Sequence, residues 1–271
     1  MAFRFAGSDV ANIRCTAEIS SCGTYYLVNG VKKWITEGHN ADYFVAAVRT
    51  GGAGGAGISM LLINNGPGVS TKLLKSVYST SAKTAYVVFE DVKVPVSNMM
   101  ANEGFKAIMK NFNHERWMLS VKMLSRARKV TEECFQWALQ RQVFGKTLIS
   151  QPVIQEKLAR MVTRVQSASA WCDTVTHKMN SMSFEDQNVK LGAIIALLKY
   201  EAANASHVVC DEAVQIFGGR AMSKAGMGRF VERFQRTEKL PGVYGGSSEI
   251  LASLGIRQSL RETSTKPFPK L

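Results

Sequence analysis

The chain has 271 residues, of which 46% are hydrophobic and 20% charged, a composition typical of a globular protein with one or two domains and not of a disordered chain. The formal net charge of +13 would suit nucleic acid or a membrane surface, but no zinc-finger or RNA-binding signature accompanies it, and no apolar run is long enough to span a bilayer. The cysteines include no Cys-x-x-Cys pair and the histidines no His-x-x-x-His pair, so the sequence predicts no metal site, no nucleic-acid partner and no membrane span.

The first hundred residues show the pattern of a small β domain. Residues 25–30 resemble a strand that ends in Asn29-Gly30, the strongest short signal for a hairpin turn, so we predict that residues 31–36 form the returning strand. Further apolar, β-branched or aromatic runs follow at 43–48, 58–63 and 85–89, separated by Gly, Pro, Ser and Asn. Several short strands joined by turns predict an antiparallel barrel or sandwich.

After residue 100 the apolar residues recur at helical spacing, as in Phe105, Ile108, Met109 and Phe112. Proline is absent between Pro95 and Pro152 and again from there to residue 241. We predict helices over 102–127, 129–142, 152–180, 186–217 and 246–262. Long antiparallel helices with short loops form a bundle. The predicted fold class is therefore α+β, with a β domain at 1–100 followed by an up-down four-helix-bundle domain at 101–271.

Five short motifs, in order along the chain, carry a resemblance to a known family. Two lie in the β half, Ala6-Gly7-Ser8-Asp9-Val10-Ala11 and Asn29-Gly30-x-Lys32-x-Trp34-Ile35-Thr36. Three lie in the helical half, Arg141-x-x-Phe144-Gly145-Lys146, Gln215-Ile216-Phe217-Gly218-Gly219 and Tyr244-Gly245-Gly246-Ser247-Ser248-Glu249-Ile250. Together they resemble the acyl-CoA dehydrogenases, from about residue 6 to residue 258.

The resemblance implies FAD as cofactor, an acyl-CoA thioester as substrate, and an electron-transfer flavoprotein or another acceptor as partner. It implies fatty-acid or branched-chain acyl-CoA oxidation, with hydride transfer to flavin N5, in a homo-oligomer that is a dimer or a tetramer. The family also has a helical domain before the β domain. None of that domain is in this sequence, so we expect a truncated or partial form.

The same resemblance assigns residues to the cofactor. Trp34 and Thr36 are expected to lie against the flavin ring, since an indole can cover an aromatic face and a hydroxyl can donate to a ring nitrogen. Arginine suits phosphate because its planar fork can donate twice, and glycines let the backbone come close. The residues expected to contact FAD are Ser8, Trp34, Ile35, Thr36, Arg141, Phe144, Gln151, Gln215, Gly218, Gly219, Ser247 and Glu249.

Ordinary structural roles remain open for several of these residues. Trp34 could be a core aromatic on a strand, and Thr36 could merely end that strand. Arg141 could be an exposed cation at the end of a helix. Gly218 and Gly219 could form a helix C-cap, which glycine favours in any case.

Removing a proton from the α carbon of the thioester needs a carboxylate base. Many members of the family carry that glutamate directly after the tyrosine of a Tyr-Glu-Gly segment, where this chain has Gly245. In isovaleryl-CoA and long-chain acyl-CoA dehydrogenases the base comes from a bundle helix, just before an arginine, and this chain has Glu115-Arg116 there. We therefore predict Glu115 as the base; the alternative is an exposed helix acid paired with a neighbour. The residues expected to contact the substrate are Ser8, Asn113, Arg116, Tyr244, Gly245 and Gly246.

The chain departs from the family pattern at a few places. Phe3-Arg4-Phe5 stands where Thr-Glu-Pro is usual, and Ala221-Met222 replaces a Gly-aromatic pair. Two alternative functions therefore stay open: a non-catalytic relative acting in self-assembly or partner binding, and a flavin monooxygenase or nitroalkane-oxidase-like enzyme on the same fold. Pro269-Lys270-Leu271 is a loose variant of a peroxisomal address, so the expected location is intracellular, either peroxisomal or mitochondrial.

Overall fold

The computed structural model describes residues 6–77 and 82–263, which form two compact units, Met1–Asn111 and Phe112–Leu271. Phe3-Arg4-Phe5 and Pro269-Lys270-Leu271 lie outside the described residues. Across the described ranges, no helix combines the length and apolar character that crossing a bilayer requires. Nor do these ranges bring three or more His, Cys, Asp or Glu side chains together as a metal site.

The first unit is built on one seven-stranded sheet. Its strands are β1 Thr16–Ile19, β2 Tyr25–Ile35, β3 Tyr43–Arg49, β4 Ile58–Asn64, β5 Val69–Leu73, β6 Ala85–Pro95 and β7 Met99–Ala101. They are ordered β5-β6-β2-β1-β3-β4-β7. Neighbours pair antiparallel except β1 and β3, which run parallel where Thr16 meets Arg49. The prediction of a β domain in this part of the chain is confirmed.

The two halves of this sheet share a single apolar core. Val28 on β2 and Val87 on β6 are buried in the same cluster as Val48 and Leu61 from β3 and β4. Within it, Phe44 and Phe89 meet edge to face with their ring centroids 5.8 Å apart. Because strands from both ends of the strand order contribute to one core, the sheet curves around its own interior, as in a barrel or sandwich.

The predicted hairpin at Asn29-Gly30 is wrong, because β2 is one continuous strand of 11 residues. The chain instead forms a β-bulge at this point, where the register with β6 shifts between Val28 and Gly30. Asn29 Nδ2 donates to Asp91 Oδ1 at 2.9 Å, and the Asp91 N–H donates back to Asn29 Oδ1 at 2.8 Å. Gly30 has φ +140, and a Cβ there would lie 2.7 Å from Cys15 Cα. Glycine is therefore required by the close approach of β1 and not by a turn.

The second unit is helical. Its helices, the first of which begins in the first unit, are α1 Gly104–Gln140, α2 Pro152–Asn180, α3 Phe184–Lys190, α4 Gly192–Phe217, α5 Arg229–Thr237, α6 Lys239–Val243 and α7 Ser248–Thr263. A two-residue hairpin, β8 Gln142–Val143 and β9 Lys146–Thr147, joins α1 to the segment before α2.

The four long helices alternate in direction. The start of α1 meets the end of α2, where the Trp117 indole N–H donates to Thr176 Oγ1 at 2.9 Å. The start of α2 meets the end of α4, where Lys157 Nζ lies 2.6 Å from Glu212 Oε2. The second half of α7 packs on the start of α4: the Gln258 side chain lies 3.0 Å from where a Cβ on Gly192 would be, and Leu197 fills the space that a Cβ on Gly255 would need. These contacts make α1, α2, α4 and α7 an up-down four-helix bundle, as predicted.

The helices differ from the prediction in three respects. The predicted break after residue 127 is wrong, since α1 runs for 37 residues with Ala127, Val130 and Cys134 buried on one face. The segment predicted as one helix over 186–217 is two, α3 and α4, which meet at Leu191. The short helices α5 and α6 were not predicted at all. They are only 9 and 5 residues long, too short for a helical period to show in the sequence.

Glu212 is a buried carboxylate held by two cations from α2. Its side chain is 4% exposed, and it accepts hydrogen bonds from Lys157 and from Arg160 Nη1, the latter at 2.8 Å. We expect Glu212→Gln to lower the free energy of unfolding by about 2 kcal/mol, because charge-assisted hydrogen bonds to a buried acid are lost. Glu156→Gln is the matched control, since exposed Glu156 also pairs with Arg160, and it should cost less than about 0.5 kcal/mol. Equal losses in urea unfolding would contradict the assignment.

Candidate active site

Trp34 and Thr36 lie at the end of β2 and face solvent. Trp34 has φ +66, a left-handed conformation that a bulky side chain adopts only under strain, and its side chain is 53% exposed. Ile35, between them, packs against the core of the first unit. The strand alternation therefore turns Trp34 and Thr36 outward, and Trp34 is not a core aromatic. The Lys33 ammonium lies over the Trp34 ring, 4.7 Å from its centroid.

Ser8 is exposed in the segment that leads into β1. The backbone that follows it is fixed by Arg49, whose guanidinium donates to the carbonyls of Ala11 at 2.6 Å and Ile13 at 3.0 Å. An open cleft of about 580 Å³ lies beside this segment, with Asp9 and Asn12 among its lining residues. Ser8 is thus presented on a backbone held firmly against the end of β3.

Glu115 and Arg116 lie on the bundle part of α1. Arg116 is buried, and its Nε donates to the Gly245 carbonyl at 2.9 Å. From α4, Lys199 Nζ donates to the carbonyls of Gly246 at 2.9 Å and of Gly242 at 3.2 Å. Two cations from two helices therefore hold the segment that joins α6 to α7, residues 244–247, which we call the α6–α7 loop.

Position 245 faces the same two cations. Gly245 has φ +64, and a Cβ added there would lie 3.7 Å from Arg116 Cγ, 3.8 Å from Lys199 Cε and 3.1 Å from Leu119 Cδ1. A side chain at 245 would thus lie against Arg116, the residue that follows Glu115. We call the space bounded by Glu115, Arg116, Lys199 and Gly245 the corner. The two places in which a carboxylate base was considered from the sequence are thus linked through Arg116, which follows Glu115 and bonds to Gly245.

The charges in this corner act on one another. Burial and, to a smaller extent, the charge of Arg116 lower the pKa of Lys199 to about 8, while Glu115 opposes both effects. Burial also lowers the pKa of Arg116, and Glu115 again opposes the shift. No ion pair of the described residues involves Glu115, so the half-buried carboxylate balances the two cations through space and without a fixed partner.

Four other predicted site residues surround this corner. Asn113 Nδ2 donates to Asn188 Oδ1 at 3.4 Å, which directs it toward α3. The Tyr244 N–H donates to the Leu240 carbonyl at 3.1 Å at the end of α6. Ser247 and Glu249 lie at the start of α7, where hydrogen bonds from its own N–H and from the Ser247 hydroxyl lower the pKa of Glu249.

The remaining predicted residues lie around the other end of α1. Arg141 follows the helix directly, and Phe144 sits at the tip of the β8–β9 hairpin with φ +49 and 95% of its side chain exposed. Gln151 precedes α2, and its carbonyl accepts the Ile154 N–H at 3.0 Å.

The segment 215–219 joins this group through aromatic packing. Phe217 stacks on Trp137 of α1 at 5.4 Å, and the Arg220 guanidinium lies 4.8 Å from the Trp137 ring centroid. Gln215, Gly218 and Gly219 are exposed. Gly218 has φ +57 and caps α4, so the alternative role at a helix end applies to Gly218, and its exposed surface leaves room for a ligand.

The structure thus divides the predicted residues of the second unit into two groups. Arg141 follows Glu115 by 26 residues, which corresponds to about 39 Å along a helix. The two groups therefore lie near opposite ends of the part of α1 that belongs to the second unit. Sequence reasoning missed Lys199; the only signal was a lysine placed directly after the apolar run at 193–198.

Comparison with known proteins gives two family-model matches. Residues 4–92 match the model described as the acyl-CoA dehydrogenase middle domain, and residues 102–260 match that of the acyl-CoA dehydrogenase C-terminal domain. The chain is 39% identical to acyl-CoA dehydrogenase apdG of Emericella nidulans over 94% of its own length and 59% of that protein. It therefore spans about three fifths of that curated relative.

Solved structures give the same picture. The butyryl-CoA dehydrogenase from Megasphaera elsdenii matches with a TM-score of 0.85 and 28% identity, over 96% of this chain and 67% of that one. The acyl-CoA dehydrogenase from Bacillus anthracis, solved in complex with FAD, matches with a TM-score of 0.87 and 25% identity, over 99% of this chain and 49% of that one.

Proposed function

Since the chain belongs to the acyl-CoA dehydrogenase family, we propose that it serves the FAD-dependent α,β-dehydrogenation of an acyl-CoA thioester, in fatty-acid or branched-chain acyl-CoA oxidation. The observation that carries the proposal is the corner formed by Glu115, Arg116 and Gly245. A base that has moved from one position to another must still serve the same substrate atom. In this chain Gly245 stands where many relatives carry the base, and Glu115 would replace that base. Arg116, the residue after Glu115, bonds to the Gly245 carbonyl and lies beside the place of a side chain at 245.

The residues expected at FAD fit that cofactor chemically. Trp34 offers an exposed indole face, and Thr36 follows it with an exposed hydroxyl. The strain at Trp34 supports a binding role, because such conformations persist where function requires them. Arg141 offers an exposed guanidinium suited to phosphate. When bound, FAD would accept the hydride that leaves the β carbon of the thioester.

Within the second unit, Glu115 takes the proton from the α carbon. Its carboxylate is half-buried and has no fixed partner among the described residues, so it is free to approach a C–H group. Arg116 and Lys199 hold the α6–α7 loop beside it, which fixes the backbone that a thioester would contact. Positioning of this kind is a large part of the rate that enzymes achieve.

We further infer a homo-oligomer in which a partner subunit completes each cofactor site. The roughly 39 Å between Glu115 and Arg141 supports this arrangement, because it separates the expected base from the expected FAD-binding arginine of the same chain, while the reaction needs the thioester and the flavin in contact. Phe144, almost wholly exposed at the hairpin tip, and the exposed Leu139 nearby on α1 support it as well, since apolar side chains of this size are commonly covered by a partner. The reduced cofactor would pass its electrons to an electron-transfer flavoprotein or another acceptor.

The function is tested on the purified chain by flavin absorbance and by anaerobic addition of acyl-CoA thioesters of several chain lengths. Bound FAD with bleaching by an acyl-CoA supports the proposal. FAD that binds but is bleached only by a nitroalkane would favour an oxidase on the same fold. A protein that self-associates and binds no FAD would favour a non-catalytic relative.

A further inference from the structure

Lys199 is a buried lysine that has no acidic partner within bonding distance among the described residues. It lies on α4 and is 1% exposed, among the largest fully buried side chains of the chain. In the part of the chain that the structure describes, no ion pair includes it. Buried charges are normally paired with opposite charges, so this one calls for an explanation.

Within the described ranges, the ammonium donates to backbone carbonyls. Its bonds go to Gly242, in the last turn of α6, and to Gly246 in the α6–α7 loop. Arg116 takes the carbonyl in between, that of Gly245. Because peptide groups are planar and trans, the N–H groups of Gly246 and Ser247 point away from the two cations. A cation on the carbonyl also polarises the peptide, which strengthens its N–H as a donor.

Keeping this charge lowers the stability of the fold. The pKa of Lys199 falls from 10.5 to about 8, so the folded chain binds the proton less tightly than the unfolded chain does. The free energy of unfolding that this group contributes therefore rises as the pH increases from about 8 to 10.5, and it is lowest at neutral pH, where the ammonium is present. A methionine would fill the same space without this penalty, which indicates that the charge serves something other than stability.

We propose that Lys199 is a positioning residue for the dehydrogenation, and that its ammonium fixes the α6–α7 loop in the conformation that the thioester meets beside Glu115. This inference rests on the proposed function for the reaction it serves, but the effect on the loop can be measured without substrate. Among the charged side chains of the described residues, those whose fields reach the ammonium are Arg116 and Glu115, both on α1. The loop should therefore loosen when the side chain at position 199 can no longer donate to the two carbonyls.

The test is amide hydrogen exchange of residues 244–248 in the whole chain at pH 7. In Lys199→Met these amides should exchange about tenfold faster than in the wild type, since both carbonyl bonds are lost. Lys199→Arg keeps a cation that can donate to the carbonyls, so it should keep most of the wild-type protection.

Lys157→Met is the matched control, because it removes a half-buried lysine that bonds to Glu212 at the far half of α4. It should lower stability but leave the exchange of residues 244–248 unchanged. Unchanged exchange in a folded Lys199→Met protein would overturn the proposal, as would equal acceleration by Lys157→Met. Flavin bleaching is measured separately on the same variants. A wild type that acyl-CoA never bleaches would refute the proposed function while the exchange result still decides the role of Lys199 in the loop.

Discussion

Glu115→Gln should slow flavin reduction by acyl-CoA by on the order of 10³-fold while FAD stays bound. The amide keeps the size and polarity of the side chain but cannot accept the α proton. The loss is measured by anaerobic stopped-flow bleaching, and occupancy is measured by flavin absorbance. Glu132→Gln is the control on the same helix, because exposed Glu132 pairs with Lys129, away from the site. An unchanged bleaching rate in Glu115→Gln would remove Glu115 from the mechanism.

The relocation of the base can be tested in the same assay. Glu115→Thr combined with Gly245→Glu should recover part of the rate, because a side chain at 245 points toward Arg116 and Lys199. Recovery should be partial for two physical reasons. The φ of +64 at Gly245 strains any L side chain by about 1–2 kcal/mol, and Leu119 must move aside. No recovery in a variant that still folds and binds FAD would argue against a shared corner.

Gly30→Ala should lower the free energy of unfolding by about 3 kcal/mol or more, through backbone strain and overpacking together. The added Cβ would lie 2.7 Å from Cys15 Cα, and neither backbone can yield without breaking the pairing of β1 with β2. Gly23→Ala is the control, since Gly23 also has positive φ, +71, but has nothing within 4 Å of an added Cβ. It should cost only about 1 kcal/mol.

Urea unfolding of both glycine variants separates the two effects. A large difference between them would show that the close approach of β1 requires glycine at position 30. Similar losses would mean that φ alone matters there, and the bulge would then tolerate an alanine.

The sequence predicted the α+β class and the four long helices because the apolar period is strong over long segments. The prediction was wrong where one short sequence pattern is compatible with two different backbone structures. Asn29-Gly30 is a common turn pair, yet the same residues form the bulge, in which Asn29 bonds to Asp91 on another strand. That partner lies 62 residues away, and no local pattern reveals it.

The candidate site shows the same limit. The family resemblance identified Glu115 and Gly245 as the two alternative positions of the base. The structure adds the hydrogen bond from Arg116, next to Glu115, to the Gly245 carbonyl. Lys199 could not be found that way, because its partners are backbone carbonyls, which leave no trace in side-chain identity. Buried lysines bonded to backbone therefore have to be found from coordinates.

The length of α1 has a genetic consequence in the proposed assembly. Each copy of this helix would carry Glu115 to one active site and deliver Arg141 to another, about 39 Å away. A chain damaged at position 115 and a chain damaged at position 141 would then compensate for each other when co-expressed. In a mixed dimer one site would receive both lesions, while the other would be assembled entirely from sound residues. Two inactive alleles of this gene could thus restore activity together, although neither does so alone.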